Sequence, residues 1–171
     1  MSLIVVGIGD CQASNSRDAT LVTYALGSCV GLALYDPRAG VGGLLHILLP
    51  EADMDPEKAG RNPCVFADTG VVTLLDRCRK LGAVAARLDV WLAGGSAVMD
   101  ERGIFNIGKR NQLAMRKALW KAGLMIRGED VGGCGSRTVR LDLGTGKFWI
   151  RSGGDAEQEL KPQGVRAQGA L

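Results

Sequence analysis

Apolar residues fall into short dense runs in the first third of the chain and into a helical repeat after that. Residues 2–8, 21–25, 30–35 and 41–49 are rich in Val, Ile, Leu and Ala, and are short enough to read as strands. Gly9-Asp10 ends the first run, Gly27-Ser28 separates the second from the third, and Pro50 stops the fourth. Asp36-Pro37 followed by Gly40 reads as a turn between the third and fourth. Residues 11–19 are polar and read as a loop. Residues 51–61 are charged, have prolines nearby, and read as a mobile surface loop.

The period then changes. Asn62-Pro63 is a helix start, with a capping side chain and Pro in the first turn, and Val71, Leu74, Leu75 and Cys78 follow at helical spacing up to Gly82. Residues 88–93 predict a strand running into Gly94-Gly95. Asn106 predicts the cap of a second helix reaching about Ala122, with Ala114, Met115, Ala118, Leu119 and Ala122 on one face and Gly123 as the stop. Residues 124–131, 138–143 and 147–150 predict further strands. From Ser152 onward the chain is small, polar and aperiodic, so residues 151–171 are expected to be a disordered tail on a domain spanning 1–150. A strand-rich start followed by helices alternating with strands predicts an α+β fold, a single layered domain and not a regular doubly wound one.

Composition narrows the function. The 171 residues are 46% hydrophobic and 23% charged, which excludes wholesale disorder. Aromatics are 5%, which argues against a stacking platform for single-stranded nucleic acid. The net charge of +3 is too weak for the basic stripe that a nucleic-acid partner needs. The longest uncharged run, residues 19–35, contains Thr23, Gly27, Ser28 and Gly31 and falls short of a membrane span, so no membrane insertion is expected. The first ten residues lack the features of a signal peptide. Five cysteines at irregular spacing point to reduced thiols and a cytoplasmic protein.

Chemistry concentrates at one histidine and one thiol. His46 is the sole imidazole and sits inside an apolar strand, where an ordinary half-buried histidine is the plain alternative. Cys29 lies in Gly27-Ser28-Cys29-Val30-Gly31, whose small residues would let another backbone approach the sulfur; a small buried hydrophobe is its plain alternative. Cys29 and His46 lie on either side of the turn at residues 36–40, so a hairpin about that turn would bring them together across neighbouring strands. A thiol attacks at neutral pH when a base takes its proton, and the imidazole would supply one. Thr23 offers a hydroxyl that could orient the ring. Gly27-x-Cys29-x-Gly31 mimics a nucleophile elbow, but a strand follows it where that motif needs a helix. No C-x-x-C is present, so no metal is expected.

These residues resemble the CheD family of chemoreceptor glutamine deamidases. Leu26-Gly27-Ser28-Cys29-Val30 matches its G-S-C signature, with Thr23 six residues before the Cys and His46 seventeen after it in His-Ile-Leu-Leu-Pro. Gly94-Gly95-Ser96-Ala97-Val98-Met99, Ile107-Gly108-Lys109-Arg110-Asn111 and Asp130-Val131-Gly132-Gly133 before Arg137 follow in the family's order, with Ser96 where Ala is usual. The likeness runs from about Ile4 to Ile150. It implies a layered α/β sandwich with mixed sheets flanked by helices, similar to the catalytic domain of cytotoxic necrotizing toxins. It implies that Cys29 is the nucleophile, His46 the base and later acid, and Thr23 the group orienting His46, with Ser28 and Gly27 supplying backbone donors to an oxyanion and with no cofactor. The substrates implied are chemoreceptor cytoplasmic domains, and a CheC-type phosphatase is an implied partner. A methylesterase on the same receptors and a non-catalytic regulator of the phosphatase are the alternatives.

Overall fold

The computed structural model describes residues 1–97 and 106–163. They form two mixed five-stranded sheets and three α-helices. The first sheet has the order β1 (Ser2–Val5), β3 (Ala19–Leu26), β8 (Arg137–Asp142), β9 (Phe148–Ser152), β10 (Gln158–Glu159). The second has the order β2 (Asp10–Ser14), β5 (Val41–Ile47), β4 (Val30–Asp36), β6 (Asp89–Gly94), β7 (Gly128–Val131). Only β1 with β3 and β6 with β7 run parallel. Helices α2 (Ala67–Lys80) and α3 (Ile107–Lys121) pack on the second sheet, while α1 (Pro56–Arg61) is short and buries no residue.

Two cores result. Val71, Leu74, Leu75 and Cys78 of α2 and Met115 and Leu119 of α3 meet the outer face of the second sheet. Each fully buried aliphatic there contributes about 1.5–3 kcal/mol. The other core lies between the sheets, where Leu21, Val139, Leu141, Phe148 and Ile150 face Ala33, Leu44, Trp91 and Ala93, and Trp91 stacks on Phe148 with ring centroids 5.5 Å apart. Strands β4 and β5 are covered on both faces, which is why they read as unbroken apolar runs. Helix α2 comes close to β5 because Gly43 carries no side chain: a Cβ there would stand 2.7 Å from Cys78 Sγ and Leu74 Cδ1. No described helix is long and apolar enough to cross a membrane.

The β4–β5 hairpin turns at Asp36, whose buried carboxylate accepts from the Arg38, Ala39 and Val84 amides and from Arg87. Burial alone would push this carboxyl up, but these donors outweigh it and hold it at about 2. That anchored turn sets the register Gly31↔His46.

Several expectations change. The polar segment after Asp10 is the edge strand β2, held by pairing with β5 and by Cys11 in the core. The stretch read as a loop at 51–61 contains the 3-10 turn Ala52–Met54 and helix α1, capped by Asp55. Asn62 caps only the 3-10 turn Pro63–Val65, and the long helix begins at Ala67. Asn106 is left-handed, with φ of 38°, and makes no side-chain cap. The tail is ordered as far as it is described. β10 pairs with β9, Leu160 accepts from the Trp91 indole at 3.0 Å, Glu157 binds Arg140, and the Gln163 amide donates to the Arg127 carbonyl. Long-range contacts supply the ordering that local apolar content does not; residues 164–171 lie outside the described residues, as do Val98 and Met99 of the glycine-rich motif.

Candidate active site

Strand β3 is regular through Thr23 and then loses register with β8 before Leu26. Ala25 adopts φ of 57° and its carbonyl accepts from the Gly27 amide at 3.0 Å. This kink takes the chain out of the first sheet and into β4 of the second. Cys29 therefore stands at the corner where the chain crosses between the sheets, one residue before β4, and is 7% exposed.

His46 lies on β5 opposite Gly31. Side chains alternate along a strand, so Cys29, Gly31 and His46 share the face turned toward the first sheet, with Cys29 diagonal to His46. Gly31 leaves the position across from the imidazole without a side chain. The register places Cys29 one diagonal from His46 and not directly opposite it.

Thr23 reaches the same face from β3. Its hydroxyl is 2.7 Å from the Val6 carbonyl and 2.7 Å from His46 Nδ1. The carbonyl can only accept, so it takes the hydroxyl proton, and the hydroxyl oxygen accepts from Nδ1–H. That allocation leaves the lone pair on Nε2, which is buried and has no partner among the described residues. Burial lowers the His46 pKa to about 4, so the ring is neutral at neutral pH. Burial likewise raises the Cys29 thiol, offset in part by its own backbone amide. At rest both groups are therefore neutral, and Nε2 makes no hydrogen bond to the Cys29 sulfur.

The later glycine-rich segment closes on this corner. The Gly95 amide donates to the Cys29 carbonyl at 2.8 Å and the Ser96 amide to the Gly27 carbonyl at 2.9 Å. Arg137 is buried, pairs with Asp130 at 3.0 Å, and donates to the carbonyls of Gly132 and Gly94. It thereby fixes the turn that receives Cys29. Of the two backbone donors expected for an oxyanion, the Gly27 N–H is already engaged by Ala25, while the Ser28 and Cys29 N–H groups donate to no carbonyl among the described residues.

Asn111 of α3 is the residue the motifs carried without a role. It is fully buried, and its Nδ2 donates to the Ser28 carbonyl at 2.9 Å and the Leu48 carbonyl at 3.1 Å. The signal was its spacing, i, i+3, i+4 and i+7 with Ala114, Met115 and Ala118, which puts one polar residue on an apolar stripe. The other thiols stand apart from His46. Cys78 is in the helix-side core and burial pushes it up to about 12; Cys11 and Cys64 lie together at 3.0 Å in that core; Cys134 is exposed. No group of three His, Cys, Asp or Glu side chains among the described residues converges to hold a metal.

Comparison with known proteins bears on this site. Residues 48–152 match a family described as CheD chemotactic sensory transduction. A Solibacter usitatus protein named probable chemoreceptor glutamine deamidase CheD is 48% identical over 162 residues, 95% of each chain. A probable chemoreceptor glutamine deamidase of Syntrophus aciditrophicus is 44% identical over 94% of this chain and 100% of its own. The chemoreceptor glutamine deamidase of Thermotoga maritima is 39% identical over 92% of this chain and 97% of its own. Among solved structures, a Neisseria meningitidis protein aligns with a TM-score of 0.36 at 8% identity, over 70% of this chain and 50% of its own; the expected likeness to the toxin domain gains nothing from it.

Proposed function

The chain belongs to the CheD family, and from that premise we propose that it hydrolyses glutamine side-chain amides on chemoreceptors to glutamate, using Cys29, His46 and Thr23. The observation that carries the proposal is the one-proton contact of Thr23, which leaves His46 Nε2 as an unpartnered base on the face it shares with Cys29.

The reaction follows from those groups. His46 Nε2 takes the thiol proton as the Cys29 sulfur bonds to the carboxamide carbon, so no free thiolate is required from a thiol whose pKa is raised. The oxygen that becomes anionic is held by the Ser28 and Cys29 N–H groups, since the Gly27 N–H is taken. The imidazolium, held in place by Thr23, gives its proton to nitrogen as the C–N bond breaks and ammonia leaves. Water, deprotonated by the same Nε2, attacks the thioester; the C–S bond breaks, and the sulfur recovers the proton. One amide and one water become one carboxylate and one ammonium.

The proposal places the reaction in the cytoplasm, where the five free thiols stay reduced. It also keeps a CheC-type phosphatase as a second partner, to be tested by co-purification of the two proteins. The deciding experiment incubates purified protein with chemoreceptor cytoplasmic fragments and assays ammonia and the amide-to-acid change by peptide mass. Ammonia from the wild type and none from Cys29→Ala supports the proposal. Methanol without ammonia would establish an esterase instead, and an intact biological effect with Cys29→Ala would establish a regulator.

A further inference from the structure

We propose that Asn111 is the positioning residue of the thiol site, one carboxamide holding the nucleophile's turn and the end of the base's strand at a set spacing. The inference rests on the reading of Cys29 and His46 as nucleophile and base.

The β4–β5 ladder ends at the pair Val30↔Ile47, so it holds His46 against Gly31 but stops one residue short of Cys29. Beyond it the strands part. The Cys29 carbonyl is bound by the Gly95 amide, and the Leu48 and Leu49 amides both donate to Val65, which draws β5 toward the Pro63–Val65 turn. The ladder fixes His46, but no ladder pair joins the next positions, Cys29 and Leu48, so it does not hold the nucleophile's turn against the end of the base's strand. The Asn111 NH2 group spans that gap, donating one proton to each strand's carbonyl. Both partners are acceptors, so the amide orientation is dictated and the carbonyl Oδ1 must point away. The residue is fully buried on a helix face that is otherwise apolar, so α3 and its packing fix where the two strands are held. A side chain without two donors cannot hold both. A shift of about 1 Å between a thiol and its base is enough to lose most of the rate.

The test is a double-mutant cycle read on Cys29 itself, without receptor. Site-resolved iodoacetamide labelling of Cys29, referenced to exposed Cys134 in the same sample, is measured for wild type, Asn111→Ala, His46→Ala and the double variant. Asn111→Ala is expected to slow Cys29 by at least about tenfold. In the His46→Ala background the same change should alter the rate by less than about twofold, because no base remains to be misplaced. Asn111→Ser, whose hydroxyl keeps one donor, should fall between. With receptor fragments, Asn111→Ala should lower kcat and leave KM unchanged. A folded Asn111→Ala protein whose Cys29 labels at or above the wild-type rate would overturn the proposal, as would equal slowing in both backgrounds or no effect of His46→Ala. If Asn111→Ala does not fold, the same cycle with Asn111→Ser decides by the same criteria. Absence of ammonia release by the wild type would sink the deamidase reading while leaving the cycle readable. A failed cycle with ammonia release intact would remove Asn111 alone.

Discussion

The Thr23 hydroxyl and His46 Nδ1 are 2.7 Å apart, and the same hydroxyl is 2.7 Å from the Val6 carbonyl. A hydroxyl has one proton to give, so Thr23 donates to Val6 and accepts from the imidazole. Sheet and ring are joined through a single oxygen, and the tautomer that leaves Nε2 free follows from the strand pairing of β1 with β3. Thr23→Val keeps the shape and removes both bonds. It is expected to lower kcat for ammonia release by about a hundredfold or more, because the ring loses both its tautomer and its orientation. Thr23→Ser keeps the oxygen and should stay within about fivefold of wild type. The two are assayed side by side; a Val variant near the wild-type rate would remove Thr23 from the site.

His46 also predicts a pH dependence. Burial holds it at about 4 against 6.5 for an ordinary histidine, so the unfolded chain binds a proton that the folded chain refuses. Stability should therefore be complete above about pH 6.5 and decline as pH falls from there toward 4, by about 3 kcal/mol in all. Asp36, held at about 2, acts in a lower window, between its ordinary carboxylate value and 2, and leaves this range clear. Urea unfolding at several pH values should give a slope that His46→Asn abolishes. The acid limb of kcat/KM should likewise fall nearer 4 than 6.5; a limb at 6.5 would mean a solvated, differently placed ring.

The central hairpin was legible because β4 and β5 are buried on both faces and the Asp36 turn carries its own acceptor chemistry. The same symmetry about the turn puts Cys29 and His46 on neighbouring segments, one diagonal apart. What was not legible depends on partners far along the chain. β2, with the sequence Asp-Cys-Gln-Ala-Ser, alternates, but its inward residues Cys11 and Ala13 are small and few, so the pairing with β5 and not local apolar content makes it a strand. The bonds of Asn111 reach 83 and 63 residues back, and the Trp91 bond reaches 69 residues forward to Leu160. Asn106 has a capping side chain but sits left-handed, so composition at that position did not decide the local geometry.

Gly94 and Gly82 have nearly the same backbone, with φ of 102° and 104°, and opposite surroundings. A Cβ on Gly94 would fall on the Cys29 carbonyl oxygen, whereas one on Gly82 would meet nothing within 4 Å. Gly82→Ala should therefore lose only the left-handed preference, about 1–2 kcal/mol, and release ammonia at the wild-type rate. Gly94→Ala adds a backbone clash that no rotamer relieves and should lose roughly 2–5 kcal/mol together with activity. Urea midpoints of the two variants compare the losses directly. Equal losses would show that the Gly94 turn can withdraw from Cys29 without consequence.

Truncation separates the two halves of the C-terminal segment. Ending the chain after Ser152 removes β10, the Arg140–Glu157 pair, the Leu160 side chain that packs on the inter-sheet core, and the carbonyl that accepts the Trp91 indole. Trp91 is nearly fully buried, so its N–H would be left without a partner in a low-dielectric environment. The exposed ion pair contributes little by itself. The orphaned donor and the lost apolar cover together amount to about 2–4 kcal/mol. For a chain of this length that lowers Tm by roughly 5–15 °C. Ending the chain after Gln163 keeps all of these contacts and is the reference against which the shorter chain is read. Thermal unfolding of both truncations decides: if the shorter one melts with the full chain, β10 and Leu160 add nothing to the fold, and Trp91 finds another acceptor.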